Sequence, residues 1–281
     1  MINFRNIVII LSISAISLCA ANFDKEIISF EKKRLSNNTR VEIKDIKINT
    51  KMKMQGAISN WYGYILDVTA NVKDKEINAK DIVFSNGVVV SSDLLDIKTG
   101  KSLKDLLQPK LDVKYYNKEH LIAGNANAKD KIVVFSDPLC PFCIDYIPDV
   151  IEHVKKNKDE IAFYYYHFPL LRSHPAAATL VKAMHVAKEK GIKDVEAKVY
   201  KIDWEQYFKV DSKDEDTILN AFNKEFKTKI TKEELNNPVV MKSVLDDVKV
   251  GDSVMVRGTP TIFVNGEKDN SKLKYETLGN K

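Results

Sequence analysis

The spacing of apolar residues changes character along the chain. Residues 22–36 carry Phe23, Ile27, Ile28 and Leu35 at helical intervals, which predicts a helix with one face toward a core. From Val41 the pattern shortens to alternation, with Val41, Ile43, Ile46 and Ile48, and the runs Trp61 to Leu66 and Ile77 to Val90 continue as strand-forming stretches. Asn86-Gly87 sits between Ile82-Val83-Phe84 and Val88-Val89-Val90. Both residues tolerate positive φ, so the pair predicts a hairpin. Residues 22–100 therefore read as a small α+β domain rich in antiparallel strands. Ser102 and Asp105 then offer a capped helix start with Leu103, Leu106 and Leu107 as its apolar face, and Pro109 cuts it short. Residues 101–120 read as a linker helix.

A second region, 121–281, has longer periods. Ile132-Val133-Val134-Phe135 is a short, apolar, β-branched run of the buried-strand kind. A helix opening at Cys140 places Ile144, Ile147, Ile151 and Val154 on one face, with Pro148 expected to kink it. Ile161 to Phe168 forms another strand. A helix from Pro175 carries Leu180, Met184 and Ala187 and ends near Gly191. Further helical patterns hold Val195, Val199, Ile202 and Phe208, then Ile218, Leu219, Phe222 and Phe226. Thr231-x-x-Glu234 is a capping box, and Asn237-Pro238 is an N-cap and first-turn pair. The last strand is Thr261 to Val264, followed by an Asn265-Gly266 turn. The order strand, helix, strand, helices, strand predicts an α/β domain with a helical insertion over about 170–250. Trp204, Phe222 and Met241 in that insertion read as core positions.

The first 21 residues stand apart. Arg5 is the one charge before Asp24, an apolar run from Ile7 to Leu18 follows, and small residues come last. This is the pattern of a secretory signal peptide cleaved after Ala21. A retained membrane anchor is the alternative, although the apolar run is short for a span. A lipoprotein signal with Cys19 lipidated is another, disfavoured by the bulky Leu18. Composition is that of a globular protein, 44% hydrophobic and 30% charged, with a net charge of +5. That charge is spread over Lys-rich faces with acids nearby, so nucleic acid is not expected as a partner.

Export changes the meaning of the cysteines. Without residues 1–21 the chain holds two, Cys140 and Cys143. Two cysteines at this spacing in an oxidising compartment form a redox pair rather than a structural framework. Zinc would need about four ligands. There is no second Cys-x-x-Cys, and the five histidines show no ligand spacing with this one. No metal and no cofactor is expected beyond the redox-active Cys140–Cys143 disulfide itself.

The pair sits between a strand and the start of a helix, where unpaired N–H groups and the macrodipole favour a thiolate. Cys140, at the N-cap, is expected to be the nucleophile, with Pro141 in the first turn. Cys143, one turn in and sheltered, is expected to attack only once Cys140 is in a mixed disulfide. Phe142 lacks the charge and hydrogen bond a histidine there would give the thiolate. The Cys140 pKa should thus fall below the ordinary ~8.5 yet above the extreme ~3.5 of the strongest oxidants. Gly258-Thr259-Pro260-Thr261 precedes the last strand. A cis Thr259–Pro260 bond would bring backbone beside the Cys140 sulfur and leave polar groups free for an extended substrate; an ordinary turn proline is the other reading.

Phe135-Ser136-Asp137-Pro138-Leu139-Cys140-Pro141-Phe142-Cys143, with Arg257 to Gly266 far downstream, resembles the thioredoxin-fold Dsb proteins of bacterial envelopes. Pro148 lies where thioredoxins commonly carry a helix-kinking proline. The segments 81–87 and 94–101 look like the end of the N-terminal domain of the DsbC/DsbG type, and Thr before the proline is that type's choice. The resemblance implies a cystatin-like N-terminal dimerisation domain, a linker helix and a C-terminal thioredoxin-fold domain. Three departures stand out. The insertion after Ile144 is nearer the DsbA pattern. Val134 takes the place where thioredoxins have a buried acid. Fifteen residues follow Gly266, so the usual final strand and helix must be short.

With the export signal, the resemblance implies a periplasmic homodimer that exchanges disulfides in misfolded or reduced exported proteins as an isomerase or reductase. A DsbD-like or DsbB-like membrane partner would reset the pair. A DsbA-like oxidase or bifunctional enzyme is the alternative, and a holdase chaperone with incidental thiols is a third.

Overall fold

In the computed structural model, residues 23–279 other than Thr39 and Asp74 are described. The expectations for the signal peptide and Cys19 lie outside them. The chain divides into two units, 1–104 and 105–281.

The first unit opens with helix α1 (Asp24–Ser36). Strands β1 (Val41–Lys53), β2 (Tyr62–Val72), β3 (Lys75–Ser85) and β4 (Val90–Ser91) follow as one antiparallel sheet in sequential order. Alternation in β1 works as expected: Ile46 is buried, while Ile43 and Ile48 pack at the edge of the same cluster. That cluster joins Ile27 of α1 to Tyr64, Leu66 and Val68 of β2 and Val83 of β3. The Asn86-Gly87 signal produces a four-residue loop, with Ser85 paired to Val90. Gly87 has φ +88°, and a Cβ there would collide with the Phe23 ring, so glycine is required on both counts.

Residues 101–120 differ from the expected linker helix. They hold three short 3-10 turns, at Leu103–Leu106, Val113–Tyr115 and Lys118–His120. Pro109 has no N–H to continue a helix. Asp112 and Asn117 then each accept a hydrogen bond from the backbone two residues on, which starts a fresh turn instead of extending one.

The second unit is built on a five-stranded sheet ordered β5-β7-β6-β8-β9. Its strands are β5 (Leu121–Gly124), β6 (Asp130–Ser136), β7 (Ile161–His167), β8 (Thr261–Val264) and β9 (Glu267–Lys268). β6 runs parallel to β7 and antiparallel to β8. Helix α2 (Pro141–Lys156) connects the parallel pair and continues through Pro148. The predicted insertion appears as α3 (Ala177–Glu189), α4 (Val195–Val199), α5 (Glu215–Phe226), α6 (Lys232–Leu235) and α7 (Pro238–Ser253). Its first helix starts two residues later than Pro175. The Thr231–Glu234 capping box is present in full, and the Asn237 side chain caps α7 ahead of Pro238. Met241, expected in the core, is 40% exposed, whereas Trp204 and Phe222 are buried.

Both faces of the sheet are covered, and this explains the unbroken apolar runs of its central strands. Ile132 and Val134 of β6 and Phe163 and Tyr165 of β7 face the core under α2 and the insertion. Val133, Phe135, Tyr164 and Tyr166 face the second core, with Leu111, Tyr115, Val254 and Val256. The short C-terminal stretch gives the two-residue β9 and a single 3-10 turn, Lys274–Thr277.

Candidate active site

β6 ends at Ser136, and four residues later the chain enters α2. Cys140 is the N-cap, in extended conformation, and Pro141 occupies the first turn. The Cys140 carbonyl accepts from the N–H groups of Cys143 and Ile144, at 2.9 and 3.0 Å, closing that turn. The loop before it is held by a carboxylate. Asp137 is fully buried; its Oδ1 accepts from the Leu139 N–H at 2.8 Å and its Oδ2 from the Leu170 N–H at 2.7 Å. His174 Nδ1 lies 2.9 Å from the same Oδ2. Asp137 thus ties the approach to Cys140 to the segment that leaves β7.

Both thiols are free and buried, Cys140 slightly less than Cys143. Their electrostatics diverge. The Cys140 pKa is lowered to about 5, first by a hydrogen bond from the Cys143 thiol. The Thr259 side chain and the backbone N–H groups of Cys143 and Phe142 add to this, and burial opposes it. Cys143 moves the other way: burial drives its pKa far up, and its hydrogen bond to Cys140 adds to that. One sulfur is thereby a thiolate at neutral pH and the other a thiol.

The second predicted element meets the first. Thr259–Pro260 is cis. The Cys140 Sγ lies 3.4 Å from the Thr259 carbonyl oxygen, across 119 residues of sequence. The Thr259 hydroxyl is buried without a hydrogen-bond partner and is placed to stabilise the thiolate once the proton has left. Phe142 is 70% exposed beside the thiols, with Lys272 Nζ 5.7 Å from its ring centroid. The structure therefore brings Cys140, Pro141, Phe142, Cys143, Thr259 and Pro260 into one place.

Sequence reasoning missed what surrounds that centre. Besides Asp137 and His174, a groove of about 460 Å³ is lined by Leu139 and Pro141, the neighbours of Cys140, by Ile144, and by Tyr200, Ile202 and Trp204 of the insertion. Beneath Cys143 lie Ser136, Tyr200 and Tyr165, with both hydroxyl–hydroxyl separations at 2.7 Å. Only the tyrosine-rich composition of β7 hinted at such a network.

Comparison with known proteins places this geometry. A family model described as Thioredoxin matches residues 116–280. The Na(+)/H(+) antiporter NhaA 1 of Mycolicibacterium gilvum (strain PYR-GCK) is 24% identical over 153 residues, which cover 52% of this chain. The chain spans about a quarter of the length of that curated relative. Among the described residues no helix is long and apolar enough to cross a membrane. Oxidised BdbD from Bacillus subtilis superposes with a TM-score of 0.45 at 19% identity, covering 57% of this chain and 89% of that one. A thioredoxin-like oxidoreductase from Silicibacter pomeroyi DSS-3 gives 0.47 at 16% identity, covering 58% and 94%. DsbA2 of Pseudomonas aeruginosa gives 0.41 at 20% identity, covering 55% and 90%. With the family model spanning more than half of its length and both cysteines within the matched residues, the chain belongs to the thioredoxin family.

Proposed function

We propose that this protein is a periplasmic thiol–disulfide oxidoreductase acting on exported proteins as a disulfide isomerase or reductase. The observation that carries the exchange chemistry is the opposite polarisation of the two sulfurs: a stabilised thiolate at Cys140 with a protonated thiol at Cys143 behind it. The Cys140 thiolate attacks a substrate disulfide, forming a mixed disulfide and releasing one substrate thiolate. That thiolate then attacks another disulfide of the substrate, and the thiolate this frees attacks the substrate sulfur bonded to Cys140, which forms a new substrate disulfide and returns Cys140 as thiolate. Otherwise Cys143 attacks the Cys140 sulfur, the Cys140–Cys143 disulfide forms, and the substrate leaves with both sulfurs reduced. A membrane thiol-redox partner of the DsbD or DsbB kind would restore the working form. The Thr259 carbonyl and the groove beside Pro141 suit an extended polypeptide segment bearing the reacting sulfur.

The separate antiparallel unit at the N-terminus favours isomerisation, on the reading that it dimerises and lets two sites hold one misfolded substrate. A second reading, disulfide oxidase, is favoured by the Cys140 pKa of about 5. A sulfur stable as thiolate is a good leaving group, so its disulfide is readily given away.

Reactivation of scrambled ribonuclease, compared between wild type and Cys140→Ala, tests the proposal. Loss of reactivation in the variant is expected; full retention would mean this thiol is not the catalyst. Survival of aggregation suppression alone would add a chaperone role. Thiol trapping in cells decides direction: a mostly reduced pair fits isomerase, a mostly oxidised pair fits oxidase.

A further inference from the structure

Resolution of the mixed disulfide requires Cys143 to lose its proton, yet this sulfur is fully buried. The two buried carboxylates nearest the region are engaged elsewhere. Asp137 serves two backbone N–H groups and His174, and Glu196 pairs with Lys188 Nζ at 2.5 Å. What lies under Cys143 instead is a series of hydroxyls. Ser136, at the end of β6, is fully buried, and its hydroxyl and the backbone N–H of Asp137 both act to lower the Cys143 pKa against the larger effect of burial. Ser136 Oγ is 2.7 Å from Tyr200 Oη, and Tyr200 Oη is 2.7 Å from Tyr165 Oη. These three residues come from the end of β6, the turn after α4 and the middle of β7, and no hydroxyl among them lacks a partner.

Two of the three residues line cavities. Tyr200 borders the groove beside Pro141, and Tyr165 borders a second cavity of about 650 Å³ lined also by His120, His167 and Asp247. A hydroxyl both donates and accepts, so hydrogen-bonded hydroxyls can pass a proton along without any of them staying charged. Burial holds both tyrosine pKa values well above the ordinary phenol range, so neither gives up its own proton for good.

We propose that Ser136, Tyr200 and Tyr165 form a hydroxyl relay that carries the Cys143 proton to solvent as Cys143 attacks the mixed disulfide. This inference rests on the exchange reading of the Cys140–Cys143 pair and deepens it. In the step, Cys143 forms a bond to the Cys140 sulfur and the bond between Cys140 and the substrate sulfur breaks. With Cys140 in the mixed disulfide, the Cys143 S–H turns from Cys140 to Ser136 Oγ, and Ser136 takes that proton while passing its own to Tyr200. From there the proton leaves through Tyr200 at the groove or Tyr165 at the second cavity. The departing substrate thiolate takes up a proton from solvent, so charge and protons balance.

The test separates the two steps with an aromatic disulfide reagent whose released thiolate absorbs visible light. The first equivalent is released when Cys140 attacks, and the second when Cys143 resolves the adduct. In Ser136→Ala the first step should match wild type, and Tyr200→Phe, whose ring lines the groove, is read by the ratio of its second step to its first. The second should be ~100-fold slower near neutral pH, the low side of what general acid–base assistance contributes. In wild type that second step should slow in heavy water with a curved dependence on deuterium fraction, the mark of several protons in motion, and Tyr200→Phe should lose the curvature. A merely structural role would not move that signature. Equal second-step rates in wild type and a folded variant would overturn the relay; Ser136→Ala serves this purpose if Tyr200→Phe does not fold. A wild-type protein that releases no first equivalent would sink the exchange reading itself, and the relay with it.

Discussion

Cys140 and Cys143 are a single helical turn apart, and their surroundings pull them in opposite directions. The difference lies in who donates to whom. Cys140 receives hydrogen bonds from a thiol and from N–H groups of a helix start, whereas Cys143 lies deeper and loses far more to burial. Alkylation of Cys140 should therefore follow a midpoint near pH 5. A midpoint no lower than the ~8.5 of an ordinary thiol would remove the proposed activation. The same shift has a stability consequence for the reduced protein. The folded pKa of about 5 lies below the ordinary thiol value of ~8.5. The stabilisation is therefore full above the unfolded value and is lost as pH falls through the folded one. Urea denaturation of reduced wild type and Cys140→Ser should show wild type gaining on the variant as pH rises across that window. A constant gap would contradict it.

At the scale of elements, two devices carry measurable energy. Asp137 joins the loop before α2 to the segment after β7 through two backbone N–H groups and His174. Asp137→Ala leaves those groups buried without an acceptor and is expected to cost ~3 kcal/mol, as for a broken buried pair. Thr231→Ala removes half of the α6 capping box and should cost about 1 kcal/mol. Urea midpoints of the two variants check both figures. An Asp137→Ala protein as stable as wild type would mean the loop is held by other means. These two devices also show what can be read from sequence. The capping box, the Asn237-Pro238 helix start and the Asn86-Gly87 hairpin are local: the chemistry of a few adjacent residues sets the backbone, so the residue types announce the element. Asp137–His174 spans 37 residues and Ser136–Tyr200 spans 64. Nothing in either residue's own neighbourhood marks its partner, and only the packed insertion brings them together. The linker failed as a helix for the converse reason, since Leu103, Leu106 and Leu107 have helical spacing but Pro109 and the Asp112 and Asn117 turns govern the backbone.

At the scale of the whole molecule, a catalytic unit of thioredoxin type follows a smaller unit made of α1 and a four-stranded antiparallel sheet. The catalytic unit was legible because Cys-Pro-Phe-Cys and Thr259-Pro260 each carry their structural context with them. The first unit was legible as antiparallel strands, and the part proposed for it depends on whether it dimerises. Sedimentation of the protein lacking residues 1–21 should show a dimer at micromolar concentration; a monomer would remove the ground for preferring isomerase over oxidase. The central claim is that Cys140 attacks and Cys143 resolves. It is met most directly by trapping. Cys143→Ala, mixed with a disulfide-bonded protein and examined by mass spectrometry without reduction, should accumulate a mixed disulfide on Cys140, while Cys140→Ala should accumulate none. No adduct in Cys143→Ala, or an adduct carried by Cys143 when Cys140 is replaced, would contradict the account.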